Sequence, residues 1–189
     1  MAWCTAWNVS AANSLLQVRR WRVTDAAQLA ALVRAAQRGD GLAMAELLDA
    51  LAPSVGRWCG PIALQDADDA AQEAMIAILR GLRGLREPAA LFGWARAIAV
   101  REAVRVARRA AREQPAELDG LPAPGDPMLA ADIKDVLSRL APEHRAVLML
   151  RDLEGLDERT AASLLGVPAG TVKSRLARAR ASFRKEWQA

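Results

Sequence analysis

The side chains of this chain that are equipped for chemistry are overwhelmingly cationic. In "GVPAGTVKSRLARARASFRK", residues 166–185, Lys173, Arg175, Arg178, Arg180, Arg184 and Lys185 meet no acid before Glu186. Like charges a turn apart repel, and a helix that only needs solubility mixes both signs, so the counterpart expected here is an external anion. A second cluster, "REAVRVARRAAR" at 101–112, puts Arg101, Arg105, Arg108, Arg109 and Arg112 within about 100° of helix circumference when each residue turns ~100°. The third cluster is acidic. "QDADDAAQEAMIAILRGL" aligns Asp69, Gln72, Glu73, Ile76 and Arg80 on one face, opposite Ala71, Ala74, Met75, Ile78 and Leu82. An isoleucine inside a polar stripe suits a protein interface, where an apolar anchor sits among charges that set orientation. Acids at a helix start also complement the helix dipole, which accounts for Asp66, Asp68 and Asp69 but not for Glu73 or Ile76.

Covalent and metal chemistry have few parts to work with. Cys4 and Cys59 form no CxxC pair, and one histidine builds no Cys/His zinc site. His144 follows Pro142 within a first helical turn, so grouping it with Ser138 or Asp152 as a triad has no support. No glycine run forms a phosphate-cradling loop. The expectation is a binding protein rather than an enzyme, with no metal and no cofactor.

The elements that must position these clusters are helical. Hydrophobic residues make up 52% of 189 positions, yet Tyr is absent and Phe occurs twice, a balance that favours helices over strands. Helices are expected near 25–38, 41–58, 66–84 and 91–112, and again near 130–140, 142–153, 157–165 and 169–187. Gly39, Gly60-Pro61, Pro88, Gly155 and Gly166 fall in the gaps, and Asp40, Asp66 and Asp157 stand at N-cap positions. Between the two sets, "EQPAELDGLPAPGDPM" is broken by four prolines and two glycines. The fold expected is all-α, with two small helical domains at 25–112 and 131–189 joined by a flexible acidic linker at 113–130. Residues 1–24 are an extension of unknown role. The formal charge is +4 overall, but the linker carries four acids and no base while both flanking parts are basic. Fully extended, such a linker reaches ~60 Å, about 18 base pairs at ~3.4 Å each.

The last pair of helices has helix-turn-helix spacing around Gly166-Val167-Pro168. Val172, Leu176, Ala179, Phe183 and Trp187 share one arc and face the core. Ser174, Arg178, Ala181 and Lys185 lie opposite, with Thr171, Lys173, Arg175 and Arg184 on the shoulders. Arg178, Lys173 and Ser174 are placed to read base edges in a major groove. Arg175 and Arg180 suit phosphates, and the amides near Ala169–Thr171 suit one more. In the earlier basic helix, Phe92 and Trp94 are compatible with stacking on an unpaired base, although such aromatics are more often core residues.

Taken together, "DADDAAQEAMIAILRGLRGL", "LFGWARAIAVREAVRVARR" and "LAPEHRAVLMLRDLEGLDERTAASLLGVPAGTVKSRLARARASFR" resemble regions 2 and 4 of an extracytoplasmic-function (ECF, group 4) sigma factor of bacterial RNA polymerase. The resemblance covers about residues 25–187. It implies a sigma-2 helical bundle and a sigma-4 helix-turn-helix. The partners it implies are core RNA polymerase, promoter DNA and, as an open question of regulation, an anti-sigma factor. Asp69, Gln72, Glu73 and Ile76 would grip the beta-prime clamp helices. Trp94, Arg96, Arg101, Arg105, Arg108 and Arg109 would serve the −10 element, where a flipped base is held. Thr171, Lys173, Ser174, Arg175, Arg178 and Arg180 would serve the −35 element, with sigma-4 also docking on the beta flap. Met75, Leu79, Arg96, Arg101 and the loop "REPAAL" depart from the usual pattern, so no −10 sequence preference is implied.

The rival reading is a stand-alone helix-turn-helix regulator, which has no use for Ile76 in an acidic helix or for a second basic stripe. No stretch approaches the roughly 18 apolar residues of a membrane span, and the N-terminus lacks the basic start of a signal peptide. A cytoplasmic, reduced setting is expected.

Overall fold

In the computed structural model, residues 26–113 and 127–188 are described. They form eight α-helices and no strand: α1 Ala26–Gln37, α2 Gly41–Ala63, α3 Ala67–Gly81, α4 Leu91–Glu113, α5 Pro127–Ser138, α6 Pro142–Leu148, α7 Glu158–Leu165 and α8 Ala169–Trp187. The all-α expectation is met. The N-terminal extension and most of the proposed linker lie outside the described residues. At the linker's edges, α4 runs on to Glu113 and α5 already begins at Pro127.

Two caps stand where the sequence puts them. Asp40 accepts from the amides of Leu42 and Ala43 at 3.0 and 3.1 Å. Asp157 accepts from Arg159 and Thr160, both at 2.9 Å. Asp66 does not cap α3. It lies in a 3-10 turn at φ −91°, ψ 19°, short of the extended backbone that brings a cap carboxylate back onto the first amides.

Gly60-Pro61 also fails to stop its helix. A proline inside a helix costs about 3 kcal/mol, but Val55, Trp58, Cys59, Ile62 and Ala63 are all buried along this stretch. Continuing the helix keeps these side chains in the core, and that burial outweighs the break. The reversal falls instead at Leu64, whose φ is 55°.

α1 to α4 form the first lobe. Gln37 ties the end of α1 to the chain after α3, donating through Nε2 to the carbonyls of Leu82 (3.0 Å) and Leu85 (2.7 Å). Ala95, Ala99 and Ala103 are fully buried along α4, and side chains this small let helices approach closely where α4 packs on α2 and α3. α5 to α8 form the second lobe. The stretch expected as one helix over 142–153 changes pitch, becoming a π-turn at Met149–Leu153. Arg145, only 7% exposed, donates through Nη1 to the carbonyls of Leu137 and Leu140 at 3.3 and 3.2 Å, closing the end of α5. Burial lowers its pKa to about 10, partly offset by the charges of Glu143 and Asp66.

The two lobes share one core. α4 packs on α6 and α7, and α2 packs on α6. Ala146, Val147, Met149, Leu150, Ala161 and Leu164 join the same buried cluster as Leu47, Trp58 and Val100. Two lobes with a common core unfold together, so urea denaturation is expected to show one transition by fluorescence and by circular dichroism. Leu150→Ala, at the junction, should lower stability by about 2–5 kcal/mol while keeping the two probes coincident.

Candidate nucleic-acid interface

The basic stripe of α4 forms as its spacing predicts. Arg101, Arg105, Arg108, Arg109 and Arg112 are all exposed, while Val100, Ala103 and Ala107 are buried. Val106 is buried as well, whereas Ala111 is exposed near the helix end, where the core has run out.

The stripe is not uniformly free. Arg105 lies 3.2 Å from Glu73 and 2.6 Å from Glu102. Hydrogen bonding to Glu102 and the nearby charges hold its pKa above the usual arginine value. Arg108 pairs with Glu143 of the second lobe. Arg96 lies over the Trp58 ring, 5.4 Å from its centroid, and 3.8 Å from Glu154, also of the second lobe. Arg57 approaches the same Glu154 at 3.7 Å. Three cations of the first lobe thus pair with two carboxylates of the second.

Trp94 is half-buried and packs on the core. Its ring crosses the end of α3 so closely that a Cβ at Gly81 would stand 3.0 Å from Cζ2. Glycine there leaves room for the ring.

On α3 the polar face is open. Asp69, Gln72, Ile76 and Arg80 are exposed and Glu73 is half-buried, while Ala70, Ala74 and Ile78 are buried. Ile76 and Leu79 are each 42% exposed, so the apolar anchor is two side chains wide. Leu79 belongs to this patch; the sequence marks it only as a departure from the family pattern, although its spacing of three residues from Ile76 is a readable signal of a shared face.

On α8, Val172, Leu176 and Ala179 are buried and Ser174, Arg178, Ala181 and Lys185 are exposed, which fits the reading face. Gly166 takes φ 66°, ψ 36° to close α7, a left-handed conformation that favours glycine. Lys173 is exposed, and Thr171 and Arg175 are half-buried. The Ser174 hydroxyl donates to the Thr171 carbonyl at 3.1 Å. Trp187, expected on the core arc, is 46% exposed and stacks on Phe183 with centroids 5.9 Å apart. The last turn of α8 overhangs the small second lobe, and the ring covers its neighbour instead of a core. Arg180 forms a two-bond fork with Asp152, at 3.1 and 2.5 Å, which raises its pKa and commits a side chain expected to meet phosphate. Glu143, Asp152 and Glu154 carried no signal in the sequence as partners of these arginines, because only the packing of distant segments brings them together.

Among the described residues no group of His, Cys, Asp or Glu is arranged to hold a metal ion, and no helix is long and apolar enough to cross a membrane. Cys59 is buried beneath α4, its Sγ 3.7 Å from the Ala99 carbonyl. Burial and the charge of Glu102 push its pKa up to about 12, so it stays a thiol.

Two family models match the chain. Sigma-70 region 2 matches residues 54–113 and sigma-70 region 4 matches residues 130–183. The ECF RNA polymerase sigma factor SigM of Mycobacterium tuberculosis is 37% identical over 121 residues, covering 62% of each chain. The RNA polymerase sigma-H factor of Pseudomonas aeruginosa is 32% identical over 143 residues, covering 66% of this chain and 74% of the relative. The chain thus spans under two thirds of the mycobacterial relative's length. Two solved structures share the fold. The sigma factor RpoE in complex with the anti-sigma factor NepR from Bartonella quintana has a TM-score of 0.61 at 21% identity, over 77% of this chain and 97% of that one. CnrH in complex with the cytosolic domain of CnrY has a TM-score of 0.58 at 22% identity, over 85% and 96%.

The Arg108–Glu143 pair makes the inter-lobe contact sensitive to acid. Burial raises the pKa of Glu143, but its own backbone amide, Arg108 and the charge of Arg175 lower it more, for a net fall below 4.5. A depressed carboxylate contributes stability above its unfolded pKa and loses it as pH falls through the folded one. Urea denaturation of the chain and of Glu143→Gln should therefore differ at neutral pH and converge progressively below about pH 4.5.

Proposed function

We propose that this chain, which belongs to the sigma-70 family of RNA polymerase sigma factors and to its extracytoplasmic-function class, directs transcription initiation at specific promoters in the manner of a group 4 member. The observation that carries this reading is the pairing, in one chain, of two exposed basic helices on different lobes with an acidic helix that exposes Ile76 and Leu79. A stand-alone operator-binding protein needs only one of the basic helices.

The work is divided by region. The first, at 25–112, grips the beta-prime clamp helices of core polymerase through Asp69, Gln72, Glu73 and Ile76, with Leu79 widening the anchor. The same region serves the −10 element through α4, where Arg101 and Arg109 lie open and Trp94 is held at the helix start. Arg96 and Arg108 become available when Glu154 and Glu143 are drawn away with the second lobe, while Arg105 keeps Glu102 of its own helix. The second region, at 131–189, meets the −35 element through Thr171, Lys173, Ser174, Arg175 and Arg178 and docks on the beta flap. Arg180 joins it on leaving Asp152. The acidic linker between them supplies reach. Initiation asks this chain to bind and to open DNA, with no bond made or broken by its own side chains, in the cytoplasm where polymerase works. The two solved relatives were captured with an anti-sigma factor and with the cytosolic domain of CnrY, and an anti-sigma factor is the restraint we expect on this chain.

The shared core has a consequence for this role. With Arg96 and Arg108 held by Glu154 and Glu143, the lobes must part before both promoter elements can be held at once. Polymerase and DNA supply the binding energy for that opening.

Run-off transcription with purified core polymerase tests the proposal. Addition of the chain should give new start sites, and failure to initiate anywhere beyond core alone overturns it. Asp69→Lys should abolish co-purification with core while circular dichroism stays unchanged. Arg178→Ala should weaken transcription by about 1–3 kcal/mol in apparent affinity, only at promoters with the preferred upstream element; equal loss on all DNA would make it a phosphate contact.

A further inference from the structure

Between the lobes lies a half-open cleft of about 680 Å³, lined by Arg101, Arg105, Arg108, Arg109 and Arg112 from α4 and by Arg175 from α8. Glu143 is the one carboxylate in its lining, and it is already committed to Arg108. Among the described residues, no carboxylate comes within ion-pair distance of Arg101, Arg109, Arg112 or Arg175. The remainder of the lining is apolar, from Val104, Leu165 and Val167. Gathering five cations along α4 opposite a sixth, Arg175, around one small space is unfavourable unless something negative enters it.

We propose that this inter-lobe cleft is a binding site for a ligand carrying several adjacent phosphates, which bridges the two lobes. The volume lies within the ~300–1,000 Å³ range of small-ligand sites. A DNA duplex cannot enter between lobes that share a core without first parting them. Guanidinium forks match phosphate oxygens two at a time, and a row of cations along α4 facing Arg175 across the cleft favours a chain of phosphates over a single one. Bridging matters as much as charge. A ligand held by Arg109 or Arg112 on one side and Arg175 on the other binds only the closed arrangement, so it stabilises that arrangement by mass action and competes with promoter engagement. The site goes beyond the initiation role and does not depend on it: it is measured on the free chain, without polymerase or DNA, so a blank titration leaves the transcription reading intact, and the reverse also holds.

Calorimetric titration of the full chain at about 0.15 M salt with inorganic tripolyphosphate, ATP and GTP tests the site, with sulfate at matched ionic strength as reference. One-to-one binding is expected. Arg109→Ala, Arg112→Ala and Arg175→Ala should each weaken it about tenfold, and Arg34→Ala and Arg159→Ala, which remove the same charge elsewhere on the surface, should not. Tightest binding of tripolyphosphate identifies a bare phosphate chain as the ligand class; tighter binding of a nucleotide identifies the base as a second contact, on the apolar wall. Equal weakening by all five variants, loss confined to the α4 variants, or no heat beyond that of sulfate overturns the proposal.

Discussion

The close packing of α4 is the constraint on which the rest of the molecule depends. Its inner side is lined by small residues, with Ala95, Ala99, Ala103 and Ala107 among the buried ones, and this lets it lie against α2 and α3 of its own lobe while α6 and α7 of the other press on it too. Side chains this short contribute little burial each, so the contact relies on proximity and on the larger Trp58, Leu47 and Ile62 supplied by α2. Because α4 is held on several sides, its remaining surface is directed outward as a rigid basic stripe. A stripe on a loosely held helix would present the same charges without a defined register.

The same packing sets two roles of one helix against each other. The arginines that make α4 attractive to nucleic acid are also the residues from which the inter-lobe ion pairs are built, through Arg96 with Glu154 and Arg108 with Glu143. Arg108 and Glu143 are not deeply buried, so their pairing is modest in strength; Arg96 and Glu154 are more enclosed. Apolar contact across the junction does most of the holding, while the ion pairs determine which cations are free.

A second coupling runs inside the first lobe. Glu73, on the face of α3 that carries Ile76, reaches Arg105 on α4 at 3.2 Å. The acidic face of α3 and the basic stripe of α4 are therefore joined by an ion pair, and loss of Glu73 would leave Arg105 with Glu102 alone. Gly81 and Trp94 join the same two helices sterically, since the ring rests where any side chain at position 81 would stand.

Much of this was legible in the residues alone because it depends on local periodicity. The helical class, the caps at Asp40 and Asp157, the left-handed stop at Gly166, the stripe on α4 and the inward arc of Val172, Leu176 and Ala179 follow from rules that act over one or two turns. Tertiary packing decided the rest. It carried α2 through Gly60-Pro61, because burial of Ile62 and Ala63 outweighed a broken turn. It denied Asp66 its cap and left Trp187 exposed, since the core ends before the helix does. It also chose the partners of Arg96, Arg105, Arg108 and Arg180. Two of those carboxylates, Asp152 and Glu143, lie 28 and 35 residues away from their arginines, and charge pairs that distant meet only once apolar surfaces have brought their helices together.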